Sequence, residues 1–235
     1  MKVKKILTYL TPFEWCLWLG SLTVILLSYL LGGDYYILTL IASLMGVTAL
    51  IFIAKGNVVG HFFIIIFSIL YGIISWNFRY YGEMITYVFM SLPSSVIACI
   101  TWLKNPSKRG KSEVAVAPMT KKKLLLVGVG DLVVTIAFYF ILRHFNTANL
   151  IPSTISVATS FFAASLLILR SPYYALGYSV NDIVLILLWT LASIKNLSYL
   201  PMIFCFLTFL VNDGYGFLCW KRMQKRQREE LVSNE

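Results

Sequence analysis

Apolar residues fall along this chain in eight long runs, at about 14–32, 35–54, 58–77, 84–103, 123–143, 150–169, 174–192 and 198–220. Each run is near the roughly 20 residues that a helix needs to cross a hydrocarbon core. Four of the breaks between them have turn chemistry: Gly32-Gly33-Asp34, Lys55-Gly56-Asn57, Asn146 to Asn149, and Arg170-Ser171-Pro172. One long polar segment, 104–122, carries Pro106, Gly110 and Pro118 and divides the chain in two. The pattern predicts an all-α integral membrane protein of about eight transmembrane helices. In chain order it reads as a tail (1–13), a first half-bundle of helices one to four (14–103), a basic loop (104–122), a linker helix five (123–149), a second half-bundle of helices six to eight (150–220) and a basic tail (221–235). A shift of 118 residues sets Tyr71 on Trp189, Ser95 on Asp213 and Trp102 on Trp220. The identity is weak. Helices two to four and six to eight have similar spacing, and the expected plan is two parallel three-helix repeats, with helix five as linker and helix one outside them.

Composition strengthens the membrane reading. Hydrophobic residues are 59% of the 235 and charged residues 13%, against roughly 45–50% and 25% in soluble domains. One soluble core of this size cannot hide so much apolar surface. The net charge of +10 turns out to be positional. With the N-terminus inside, seventeen Lys and Arg fall on inside segments, and only Arg79, Arg143 and Lys195 fall outside. Removing or adding one helix would place a large basic cluster outside. Both termini are therefore expected in the cytoplasm, with the basic tail acting on topology and touching anionic lipid. Nucleic acid is not needed as a partner. The N-terminus lacks a small-residue cleavage site and reads as a retained tail. Cys16, Cys99, Cys205 and Cys219 lie in apolar runs without CxxC spacing and read as buried free thiols.

Acidic residues inside spans change the picture again. Asp131, Asp182 and Asp213 lie in predicted helices with no Lys or Arg deep enough to pair. A central Asp costs roughly 2.5–3.5 kcal/mol to insert, so such residues tend to face a cavity. Asn181-Asp182 and Asn212-Asp213 sit on successive helices, and the pathway reading is favoured over interhelical packing. Asp131 is equally well read as structural. Ser153, Ser156 and Ser160 share a face of helix six, near Thr159, and suit either close packing or a pathway wall. Trp189 and Tyr215 lie near the Asn-Asp pairs and suit stacking on a flat ligand. Trp102 and Trp220 read as interfacial anchors, as do Trp15, Trp18, Tyr35, Tyr36, Trp76, Tyr80, Tyr81, Tyr173 and Tyr174. Glu83 is expected at a solvated helix N-terminus, where the dipole favours an acid. A role in attracting a cationic ligand is the alternative.

Several runs resemble the PnuC family of bacterial vitamin transporters: Lys55-Gly56-Asn57, Tyr80 through Tyr87, Pro93, Asn181 through Trp189, and Asn212 with Tyr215-Gly216 and Trp220. The resemblance spans about 14–222. It implies a three-plus-one-plus-three helix core and passive uptake of nicotinamide riboside, trapped by a cytoplasmic riboside kinase. It also implies an assembly that can be a homotrimer. Relatives carry thiamine, riboflavin or deoxynucleosides. Many members place a Gln two residues after the helix-four proline. Here that position is Ser95, which leaves the substrate open.

The resulting expectation is a substrate site of Asn181, Asp182, Trp189, Asn212, Asp213, Tyr215, Ser95, Tyr87, Glu83 and Thr159, with no cofactor and no metal. The carboxyls would offset a pyridinium charge, the amides would bond hydroxyls, and the rings would stack. A proton-coupled version would work through Asp182 or Asp213. A membrane-embedded enzyme using the two acids is disfavoured, since His61 and His144 are far apart and neither HExxH nor a P-loop occurs. A purely structural or receptor-like bundle would show no substrate affinity.

Overall fold

The computed structural model describes residues 9–31, 37–77, 80–108, 110–147, 149–194 and 197–233. The Gly32-Gly33-Asp34 turn, Tyr35, Tyr36, Arg79 and Lys195, named above, lie outside them, as do Lys2, Lys4, Lys5 and Arg109 of the inside count. Among the described residues eight helices are long and apolar enough to cross a membrane: α1 (Pro12–Leu31), α2 (Ile37–Ala54), α3 (Val59–Asn77), α4 (Tyr81–Lys104), α5 (Lys121–His144), α6 (Leu150–Ile168), α7 (Tyr174–Ser193) and α8 (Leu200–Val232). The turns form where the sequence has turn chemistry. After α2, α5 and α6 the chain turns through left-handed residues at Gly56, Asn146 and Arg170. In each case the next amide bonds back to the helix, from Asn57 to Phe52, Thr147 to Leu142 and Ser171 to Leu166, which closes the last turn. At the start of α1, Thr11 and Glu14 cap each other. The Thr11 amide donates to Glu14 Oε2 at 2.7 Å and the Glu14 amide to Thr11 Oγ1 at 3.2 Å.

Six helices close a ring. α2 packs on α3, α3 on α4, α4 on α6, α6 on α7, α7 on α8, and α8 back on α2. α1 lies outside, against α2 and α8, and α5 packs on α6 with only 6% of its span buried. Small residues bring the ring helices together. A Cβ on Gly46 of α2 would lie 2.3 Å from the Phe209 ring of α8. The two half-bundles meet through residues that the 118-residue shift relates. Trp189 Nε1 donates to Tyr71 Oη at 2.8 Å. Trp102 Nε1 donates to the Leu167 carbonyl at 3.2 Å, and Trp220 Nε1 to the Ile53 carbonyl at 2.8 Å, with the two indoles 5.3 Å apart. Each half-bundle thus ends on a Trp that bonds the other half.

Several expectations need correction. Trp102 and Trp220 are buried crossbraces, because their N–H groups find partners only inside the bundle. Tyr80 and Tyr174 are buried too. Cys16 is exposed on the outer face of α1 and Cys219 is half-buried, although all four thiols are free. Residues 221–232 continue α8, since Lys, Arg, Gln, Met and Glu favour helix. The loop after α4 holds a small antiparallel hairpin, β1 (Pro106–Ser107) and β2 (Gly110–Val114). The hairpin docks on α8, where Glu113 pairs with Arg226 and accepts from Gln227 Nε2 at 2.8 Å.

Candidate functional site

The ring encloses a cavity of about 60 Å³ with carboxyls, hydroxyls and aromatic rings in its wall. α4 gives it Tyr87, Ser91 and Ser95. In a regular helix residues four and eight apart drift around the axis. Here a π-helical turn, Tyr87–Ser91, precedes Pro93 and takes up that drift, so all three side chains share one face. Such turns are frequent at functional sites. Pro93 has no N–H to donate to the preceding turn, which removes one bond of the regular ladder where the widening occurs.

α7 and α8 supply the charge. Asn181, Asp182 and Asp213 line the cavity and all three are buried. The Asp182 and Asp213 carboxyls lie within hydrogen-bonding reach of one another. Among the described residues no Lys or Arg lines the cavity. Two carboxyls brought to one cavity concentrate negative charge there, which suits a cationic ligand. Ser160 Oγ and Thr159 Oγ1 both lie 2.9 Å from Asn181 Oδ1. Ser160 donates to that oxygen, while the one Thr159 hydroxyl hydrogen is shared between it and the Ile155 and Ser156 carbonyls, and these contacts hold the amide in place at the cavity wall.

Aromatic layers close both ends of the cavity. Toward one end, Tyr71 packs 4.1 Å from the Tyr87 ring, and Trp189 lies 5.0 Å from Tyr80 and 5.7 Å from Tyr199. Toward the end nearer the hairpin, Trp220 packs at a tilt on Trp102 and edge to face with Tyr174, and His61 lies 4.3 Å from Trp102. The enclosed space is far below the roughly 300 Å³ at which small-molecule pockets begin. A ligand of that size needs the cavity to widen.

The sequence-expected residues divide by position. Asn181, Asp182, Asp213, Ser95 and Tyr87 converge on the cavity, and Thr159 acts on it through Asn181. Trp189 belongs to the aromatic layer beyond it. Glu83 is a correction to its expected solvated position: it is 1% exposed, held inside the first turn of α4 beside Ser156 of α6. Asn212 and Tyr215 turn away from the cavity toward α1. Asn212 Nδ2 donates to Ser21 Oγ at 3.0 Å, and Tyr215 Oη donates to Glu14 Oε1 at 3.0 Å, where Lys55 also pairs at 2.9 Å. Sequence reasoning missed Ser91, Tyr178, Phe67, Phe206 and Phe209 in the cavity wall. Helical spacing carried a signal for some of them, since Phe206, Phe209 and Asp213, like Tyr178 and Asp182, fall on one face.

A membrane-spanning ring of helices around an enclosed acidic and aromatic cavity, shut at both ends, has the architecture of a small-molecule carrier. The comparisons with known proteins specify which one. A family model described as nicotinamide mononucleotide transporter matches residues 36–222, the whole ring without α1. The chain is 29% identical over 191 residues to the nicotinamide riboside transporter PnuC of Neisseria mucosa, covering 79% of this chain and 72% of that protein. It is 27% identical over 218 residues to the nicotinamide riboside transporter PnuC of Haemophilus influenzae, covering 92% of each. The crystal structure of the vitamin B3 transporter PnuC matches at a TM-score of 0.81 and 27% identity, over 93% of this chain and 94% of that one. The chain belongs to the PnuC family of membrane transporters.

Proposed function

We propose that this chain carries nicotinamide riboside across the bacterial plasma membrane by facilitated diffusion, with both termini in the cytoplasm. The observation that carries the reading is the charge of the cavity. Its wall holds Asp182 and Asp213 and, among the described residues, no cationic side chain. Nicotinamide riboside presents one pyridinium charge, ribose hydroxyls and a carboxamide. The carboxyls offset the charge, the Asn181 NH₂ and the Ser95 and Ser91 hydroxyls meet the polar groups, and Tyr87 with Phe67 and Phe209 packs the ring. The family model's description speaks of the mononucleotide, whose phosphate would be repelled by the same carboxyls. The riboside is therefore preferred.

In this account Thr159 orients Asn181, Trp189 and Glu83 belong to the outer approach, and Asn212 and Tyr215 brace α1. The basic termini and the hairpin loop support a cytoplasmic placement of that side. Trapping by a cytoplasmic riboside kinase and assembly as a homotrimer are part of the proposal, as the family resemblance implies. Proteoliposomes holding the protein should equilibrate labelled nicotinamide riboside without ATP or an ion gradient. Uptake that needs ATP would refute facilitated diffusion, and the absence of any uptake would refute the substrate.

The facing carboxyls favour one second reading, in which a proton travels with the substrate on the Asp182–Asp213 pair. Collapsing a proton gradient across the same vesicles separates the two. A facilitator keeps its initial rate, and a proton-coupled carrier slows.

A further inference from the structure

We propose that the open cleft between the β1–β2 hairpin and the outer stretch of α8 is a binding site for a phosphate-bearing anion of the nucleotide class. The cleft has a volume of about 800 Å³, inside the range of small-molecule pockets. Its cations come from two separate elements. Lys108 stands on the hairpin turn, and Lys221, Lys225 and Arg228 project from α8. The three on α8 are spaced four and three residues apart, which puts them along one face of the helix.

These cations are poorly neutralised. Among the described residues neither Lys108 nor Arg228 has a hydrogen-bond or ion-pair partner. Lys225 has only an exposed contact to Glu229 at 3.9 Å, and Lys221 meets the Tyr173 hydroxyl at 3.3 Å. One acid, Glu230, lines the cleft, and it lies 3.9 Å from Arg226. Unpaired cations held together repel one another, and an anion between them removes that repulsion.

The walls are built rather than loose. Gln227 accepts from the Val116 amide at 2.8 Å and donates to the Val114 carbonyl at 3.0 Å, while Arg226 pairs with Glu113. The Val114 amide reaches the Gly56 carbonyl at 3.0 Å, and Arg170 Nη1 reaches the Ala115 carbonyl at 3.1 Å. The hairpin and the segment after it are thus tied to both half-bundles.

Size and reach describe the ligand. From Lys221 to Arg228 the helix rises about 10 Å. A single phosphate cannot touch both ends, whereas a chain of phosphates or a nucleotide can. An anionic lipid headgroup shares the phosphate chemistry, and Lys221 lies beside Tyr173 at the end of the α7 span, where a headgroup would sit.

The test uses the purified full chain in nanodiscs of zwitterionic lipid, with ATP as the probe and calorimetry as the readout. Saturable binding is expected, weakened about tenfold or more in the double variant Lys108→Ala/Arg228→Ala. The control Lys121→Ala/Lys122→Ala removes the same charge at exposed positions of α5 and should leave affinity unchanged. Uptake of nicotinamide riboside by all variants confirms folding, since none of these residues lines the cavity. Adding phosphatidylglycerol to the nanodiscs distinguishes the sources. Competition with ATP that disappears in the double variant assigns the site to a lipid headgroup, and unchanged ATP affinity assigns it to a soluble nucleotide. ATP affinity that is equal in wild type and double variant, or equally weakened by the control, overturns the proposal. So does the absence of saturable ATP binding in the zwitterionic nanodiscs.

Discussion

Where α4 carries Ser95, α8 carries Asp213, and where α3 carries Tyr71, α7 carries Trp189. At the ends of the same helices Trp102 stands against Trp220. The tryptophans do the same job in both half-bundles, each donating its N–H to a backbone carbonyl of the other. The cavity positions do not match, since one half offers hydroxyls and the other offers carboxyls. The frame is shared, and the charge is loaded on α7 and α8 alone. Recognition and mechanical closure are therefore separable, and each can be broken without the other.

The largest expected effect comes from removing the charge. Asp182→Asn/Asp213→Asn should lower nicotinamide riboside flux about 30-fold or more, since unpairing a buried charge costs about 2 kcal/mol or more. Vesicle uptake at a fixed protein amount measures it. Moving the charge tests whether the half matters. Asp213→Ser alone should be strongly impaired, and adding Ser95→Asp should restore part of the flux, because the second acid returns to the same cavity from the opposite wall. No recovery would mean that position, and not cavity charge, decides.

The braces come next. Trp102→Phe and Trp220→Phe each remove an indole donor, while the Leu167 and Ile53 carbonyls keep the Arg170 and Gly56 amides, and each should cost about 1–2 kcal/mol for the lost bond and packing. Thermal unfolding in detergent should show similar losses for the two. A large loss for one and none for the other would break the equivalence of the halves. Smaller still, Asn212→Ala should cost about 1 kcal/mol by releasing Ser21 of α1 from α8, with the KM for uptake unchanged. A raised KM would put Asn212 at the substrate.

The sequence made the spans and the acids legible, because apolar length and misplaced charge are local signals. Asp182 and Asp213 could be singled out for that reason. Asn212 and Tyr215 looked equivalent to their neighbours, yet a step of one residue along a helix turns a side chain by about 100°. That rotation sends Asp213 inward and Asn212 to Ser21. Trp102 and Trp220 resembled interfacial anchors because their depth and partners depend on how the two halves meet. Glu83 looked solvated because only the fold covers the start of α4, with Ser156 beside it. The π turn before Pro93 and the continuation of α8 beyond residue 220 were open to reading from Pro93 and from helix-forming residues.

The central claim is that cavity charge selects the substrate, and a matched pair of ligands tests it most directly. Nicotinamide riboside and its dihydro form share their ribose and carboxamide and nearly their shape, but only the first carries the pyridinium charge. Competition for uptake in proteoliposomes should favour the charged form by about tenfold or more, and Asp182→Asn/Asp213→Asn should erase the difference. Equal competition by the two forms in the wild-type protein would contradict the account.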